Sequence, residues 1–233
     1  MNTPDIMDKL RSHGDRDTVA GMERFGIVTP RSFGVKTPVL KQFAKEVKKE
    51  AQDRHSLALE LWATGNYDAR ALAFLIDDSK QVTVEQMESW AADFDNWATV
   101  DGTCCYLFCR TPFAYEKALE WAERDDEFVK RAGFSLMAYL AVHDKKADDA
   151  RMAALLPAIE KWSDDDRNFV KKAVNWSLRQ IGKRNLQLNK LAIEAAARIR
   201  ARGTKAAKWI AADALRELRS DAVQVRLAGK AGK

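Results

Sequence analysis

Apolar residues recur at helical spacing along almost the whole chain. Over 39–52, Leu40, Phe43, Ala44 and Val47 fall on one face and lysines on the other. That is the stripe of an amphipathic helix. No segment alternates apolar and polar residues as a half-buried strand does. The pattern also predicts a first helix over 4–24, ending near Phe25-Gly26. A turn-rich segment follows over 27–37, holding Pro30 and Gly34, and Pro38 suits the start of the next helix.

From residue 57 the pattern repeats as helical hairpins, each with a first helix ending in Trp and then a short polar link. The first pairs LALELW (57–62) with DARALAFLIDD, and the second pairs VEQMESW (84–90) with NWATVDGTCCYLF. The third pairs YEKALEW (115–121) with FVKRAGFSLMAYL, and the fourth pairs LLPAIEKW (155–162) with NFVKKAVNWSLRQI. A fifth, more basic pair spans 188–219. The Trp spacings of 28, 31 and 41 are too irregular for a rigid repeat. They suit paired-helix arrays. The predicted fold is all-α, a curved solenoid of antiparallel helix pairs of the HEAT or armadillo kind. Residues 1–228 are expected to form a single repeat domain and 229–233 a flexible basic tail. The Lys/Arg-bearing stretch 226–233 is expected to be disordered and to add non-specific phosphate affinity.

Eight to eleven residues after each hairpin Trp, the second helix carries Arg70, Asp101, Arg131 or Lys172. A row of cations on successive second helices would track a phosphate backbone. Asp101 stands out in that row, because an acid in a polyanion groove costs binding unless it has work to do there. Trp97 lies one helical turn before it on the same face, which Cys105 and Phe108 continue. Without the repeat register, Asp101 reads as an exposed acid at the margin of a packing helix, and coincidence in an irregular repeat stays open. Trp62, Trp90, Trp121 and Trp162 close first helices and read as packing residues. Trp97 and Trp176 sit on second helices, where indole faces beside a carboxylate favour a cationic guest, although core packing is the default for any single Trp.

Charge sharpens this picture. Residues 167–233 hold 17 Lys/Arg and 4 Asp/Glu, a balance of +13, whereas the preceding 166 hold 22 and 30, a balance of −8; together they make the net +5. A basic half of that size points to a polyanion, nucleic acid first, with a solvated basic helical face as the bland alternative. The three cysteines crowd one predicted helix and read as small core residues of a reduced, cytoplasmic protein. Three scattered histidines give no metal-ligand spacing, so no metal is expected. No phosphate-binding glycine loop is present, and no Ser or Cys has a plausible His partner for nucleophilic catalysis. The polar N-terminus has no signal-peptide core, and no apolar run reaches the roughly 20 residues of a membrane helix.

In order along the chain, FGVKTP (33–38), LWATGNYDARALAFLI (61–76), WATVD (97–101), FVKRAGFSLM (128–137) and FVKKAVNWSLRQIGKRN (169–185) resemble one family. It is the DNA alkylation repair enzymes, the AlkD-type HEAT-like-repeat DNA glycosylases. The resemblance covers most of the chain. It implies excision of cationic N3- or N7-alkylated purines from double-stranded DNA, without metal or cofactor, in base excision repair. The protein is expected to be a monomer in the cytoplasm, nucleoid-associated when bound to DNA. By resemblance, Asp101 is the catalytic carboxylate, Trp97 and Trp176 are the indoles of its cleft, and Arg131 contacts backbone near the lesion. Lys172, Arg179, Lys36 and Arg70 complete the expected DNA-contacting set. The alkylated base is already positive, so its glycosidic bond needs no acid. A carboxylate would stabilise the oxocarbenium-like sugar and position water. One position departs from the family pattern: family members often carry a second acid directly after the first Trp, and here Ala98 stands there. The resemblance also includes relatives with this fold and no glycosylase activity, so a non-catalytic module binding DNA or a protein is the alternative.

Overall fold

The computed structural model describes residues 1–29 and 31–231. Among them are fifteen α-helices and one 3-10 turn, with no strand. Among the described residues no helix is long and apolar enough to cross a membrane. The chain divides into two compact units, Met1–Thr111 and Pro112–Lys233.

The first unit holds α1 (Thr3–Ser12), α2 (Arg16–Glu23), α3 (Thr37–Glu50), α4 (Arg54–Ala63), α5 (Tyr67–Ile76), α6 (Val84–Ala92) and α7 (Trp97–Tyr106). The single helix expected over 4–24 is therefore two. It breaks at Gly14, and the Asp15 side chain caps α2 by accepting from the Asp17 N–H. Pro30 of the predicted turn segment lies outside the described residues. Helix α3 buries Leu40, Phe43, Ala44 and Val47, the stripe read from its sequence, and Pro38 occupies its first turn. Helix α5 packs between α3 and α7 and pairs with α4. The hairpin tryptophans are packing residues here. Trp62 and Trp90 are buried and stack 3.9 Å apart at 5°, worth roughly 0.5–1.5 kcal/mol beyond the area they bury. Phe108 does not continue the α7 face. The helix ends at Tyr106, and the 3-10 turn Phe108–Arg110 carries Phe108 into the core near Trp90.

The second unit comprises α8 (Ala114–Ala122), α9 (Glu127–His143), α10 (Asp149–Ala153), α11 (Leu156–Lys161), α12 (Asn168–Gly182), α13 (Leu186–Ala201), α14 (Lys205–Leu218) and α15 (Asp221–Ala231). Helices α9, α12 and α14 form one layer, with α8, α11 and α13 paired behind them. A register of 38 residues ties neighbouring repeats. Lys161 pairs with Glu123 at 2.5 Å, Arg198 with Glu160 at 2.6 Å, and Asn175 donates to Asp213 at 2.7 Å. The Trp spacings do not carry this period, because the second helices differ in length, 10 residues in α5 and α7 against 17 in α9, and α10 is inserted before α11. Helix α15 reaches Ala231, so most of the basic stretch 226–233 is helical; residues 232 and 233 of the expected tail lie outside the described residues.

Candidate nucleic-acid interface

Helix α7 begins at a strong cap. The Asn96 side chain accepts from the N–H groups of Ala98 and Thr99, the arrangement that satisfies otherwise orphaned donors. Its buried side is Thr99, Val100, Thr103 and Cys104. The opposite side, Trp97, Ala98, Asp101, Gly102 and Cys105, is half-exposed. Trp97 and Asp101 thus stand one turn apart on a face open to solvent. The indole is aimed by its own N–H, which donates to the Phe25 carbonyl at 2.9 Å. Helix α7 is seated from below by Phe74 of α5, whose ring stacks on Tyr106 at 6.0 Å. A Cβ at residue 102 would lie 2.4 Å from the Phe74 Cζ, so the glycine after Asp101 lets the ring approach.

The FGVKTP loop is held by one buried carboxylate. Asp68 accepts from the Ser32 hydroxyl at 3.0 Å and from the N–H groups of Phe33 at 2.6 Å, Gly34 at 3.3 Å and Val35 at 2.9 Å. Gly34 has φ of 81°, and a Cβ there would sit 2.2 Å from the Asp15 carbonyl oxygen, so no other residue fits. Two of the sequence motifs are therefore one structure, in which DARALAFLI supplies the acid that shapes FGVKTP. The loop presents Lys36, which keeps 66% of its side chain exposed beside Asp15 at 3.3 Å.

The row of cations divides. Arg70 is spent within the first unit: its guanidinium pairs with Asp93 at 2.9 Å, lies over the Trp62 ring at 5.0 Å and leaves only 14% of the side chain exposed. Arg131 is buried on α9 and donates to the Phe169 carbonyl at 2.7 Å, which joins α9 to the start of α12. Arg179 pairs with Glu217 and lies 3.7 Å from Asp213, bracing α12 against α14. These three arginines, read from the sequence as DNA contacts, are tied to neighbouring helices because each finds a carbonyl or carboxylate across the layer. Lys172 differs. It is exposed on α12 with no ion pair among the described residues. Trp176, one turn on, is half-exposed and meets the Tyr139 ring edge-on at 4.9 Å.

Two further groups escaped the sequence reading. Lys130 is fully buried, its ammonium 3.2 Å from the centre of the Trp162 ring and 4.0 Å from Asp165. Burial lowers its pKa despite the nearby acids Asp165, Asp125 and Glu123. The only local signal was its place beside Arg131 in FVKRAGF. Asp68 carried a signal too, an acid in the first turn of a helix directly after a capping Asn. No disulfide joins the cysteines, and burial pushes Cys109 up to about 11, which keeps it protonated and unreactive at neutral pH. Among the described residues no three His, Cys, Asp or Glu gather as metal ligands.

The family model of the DNA alkylation repair enzymes matches residues 6–218. An uncharacterised protein of Listeria innocua is 23% identical over 197 residues, spanning 84% of this chain and 80% of its own length. One solved structure, described as a new family of proteins related to the HEAT-like repeat DNA glycosylases with affinity for branched DNA structures, matches with a TM-score of 0.74. It is 23% identical and covers 85% of this chain and 83% of the other. That likeness gives the fold, a HEAT-like repeat of helix pairs.

Proposed function

Because this chain belongs to the DNA alkylation repair enzyme family, we propose that it is a DNA glycosylase that excises cationic N3- or N7-alkylated purines. The observation that carries this reading is the α7 face, where Trp97 and Asp101 stand one turn apart, half-exposed, with the indole fixed by its bond to Phe25. An alkylated purine is a good leaving group because it departs as a neutral base. The enzyme's task is to stabilise the positive charge that develops on the sugar. A carboxylate at Asp101 does this electrostatically and orients the attacking water by accepting its hydrogen bond. The Trp97 face attracts the cationic nucleotide. Lys36 in the first unit and Lys172 in the second supply phosphate contacts, and Trp176 serves the DNA alongside Lys172. The test is incubation with duplex DNA carrying N7-methylguanine, with released base measured by mass spectrometry. Release above the spontaneous rate is expected; release at the spontaneous rate removes the catalytic assignment.

A second reading has two observations behind it. Ala98 replaces the second acid frequent in the family, and the solved relative is described by its affinity for branched DNA. On this reading the chain is a non-catalytic binder of branched DNA. It predicts tighter binding to a four-way junction than to linear duplex of the same length, with no base released from either.

A further inference from the structure

The second unit holds a cavity of about 340 Å³ at the carboxyl ends of α9 and α12. Its size is at the lower end of the roughly 300–1,000 Å³ of ordinary ligand sites, but its lining is of another kind. Lys145, Lys183, Arg184 and Arg226 converge on it, with the amides of Gln180 and Asn185, and no carboxylate or aromatic ring lines it among the described residues.

The cations are held there for different reasons. Arg184 donates to the carbonyls of Ala141 and Asp144 at 2.8 Å and of Ala147 at 3.0 Å, so it caps the end of α9. Lys183 bonds Glu217 at 2.6 Å, and that same carboxylate also serves Arg179. Lys145 and Arg226 are exposed, and neither has an ion pair among the described residues. The two helix ends bring about −0.5 charge each, and Arg184 already answers the carbonyls of α9. The lining therefore stays positive, and its mutual repulsion is relieved by an anion.

The place of this cavity says which anion. Lys172, Trp176 and Gln180 of α12 and Lys183 at its C-cap are spaced by four, four and three residues, which puts them on one face. The face begins at exposed Lys172 and ends in the cavity. From Trp176 to Lys183 is seven residues, about 10.5 Å along the helix. That is about three phosphates of rise on one duplex strand.

We propose that this cavity is a phosphate-binding site and that it takes a backbone phosphate of DNA lying along α12; the second half of the statement rests on the functional reading above. Arg226, from the helix that closes the chain, is its specific addition to the site. A free phosphate ion offers the same chemistry, so the test has two arms. The full chain and its Lys145→Ala/Arg226→Ala double variant are titrated with inorganic phosphate while backbone amide NMR signals are followed. Their affinity for undamaged duplex is then measured against salt. Phosphate is expected to shift the amides of Lys145, Arg184 and Asn185 in the wild type and not in the variant. The log–log salt slope of the variant is expected to be about one unit shallower. Absence of the phosphate shift together with an unchanged slope overturns the site. A phosphate shift with an unchanged slope keeps the phosphate chemistry and overturns the backbone assignment. Arg226→Gln, which keeps most of the side-chain stem, is the second variant, and it moves both readouts the same way if the site is real. Neither residue belongs to the proposed catalytic set. A lost salt slope in a protein that releases no base would thus support the cavity while overturning the glycosylase reading.

Discussion

Helices α7 and α12 each present a half-exposed tryptophan, but the company each keeps is opposite. Trp97 stands one turn from Asp101, in a unit (1–111) with 14 Lys/Arg and 17 Asp/Glu, a balance of −3. Trp176 stands one turn from Lys172, in a unit (112–233) with 25 and 17, a balance of +8. The repeats beneath them differ in the same sense. Those of the second unit are laced by pairs 38 residues apart, such as Arg198 to Glu160 and Arg179 to Glu217. The first unit is organised instead around aromatic stacking and two buried carboxylates, Asp68 and Asp77. The comparison teaches that, on the proposed reading, polyanion affinity and chemistry would be separable in this fold. Most of the attraction for DNA would sit in the second unit, and the proposed catalytic carboxylate, Asp101, in the first, where fewer cations would neutralise it.

The largest expected effect tests the first unit's dependence on Asp68. Asp68→Ala would leave the N–H groups of Phe33 and Val35 without their acceptor inside the protein and the Ser32 hydroxyl with only the weak Met22 sulfur. Each such orphan costs about 1–3 kcal/mol, so a loss of about 3 kcal/mol or more is expected. For a chain of this length that lowers Tm by roughly 6–12 °C, measured by thermal melting. A melt within 2 °C of wild type would mean that the loop is held by something else.

Next comes Asp101, the proposed catalytic acid. Asp101→Asn keeps the side chain's shape and removes its charge. Excision of N7-methylguanine is expected to fall by a factor on the order of a hundred, with duplex affinity unchanged or raised, as single-turnover rates and binding titrations would show. An equally active Asn variant would leave an enzyme whose catalytic group lies elsewhere. The indoles should matter less. Trp97→Ala and Trp176→Ala are each expected to cost about tenfold in the same assay, within the range of a cation–π contact. Trp97→Phe keeps a ring but loses the bond to the Phe25 carbonyl; if it behaves as wild type, the aim of the indole is unimportant.

How much of this the sequence disclosed depends on how local each signal is. The α3 face and the Trp97–Asp101 pair were legible because helical spacing alone places such residues together. The break at Gly14 was missed because the apolar pattern runs through it, although the capping Asp15 was there to be read. The cations were the least legible. Whether an arginine is free depends on a partner far away in sequence, and Arg131 finds the Phe169 carbonyl 38 residues on while Arg70 finds Asp93 after 23. No window of sequence reveals that.

The smallest effect follows from that division and cuts most finely between the two units. If the exposed lysines, and not the tied arginines, meet DNA phosphates, then Lys172→Ala should make the log–log dependence of duplex affinity on salt about one unit shallower, equally for every sequence. Arg70→Ala should leave the slope unchanged, because its guanidinium is already committed to Asp93 and Trp62; its cost should appear in thermal stability instead. Arg179→Ala releases Glu217 from one of its two cations, so it too should act on stability. A surviving slope change in either arginine variant would mean that the partner carboxylate yields the guanidinium when DNA arrives. These ion pairs would then be latches that DNA opens, and the repeats that hold them would be part of the interface as well as its frame.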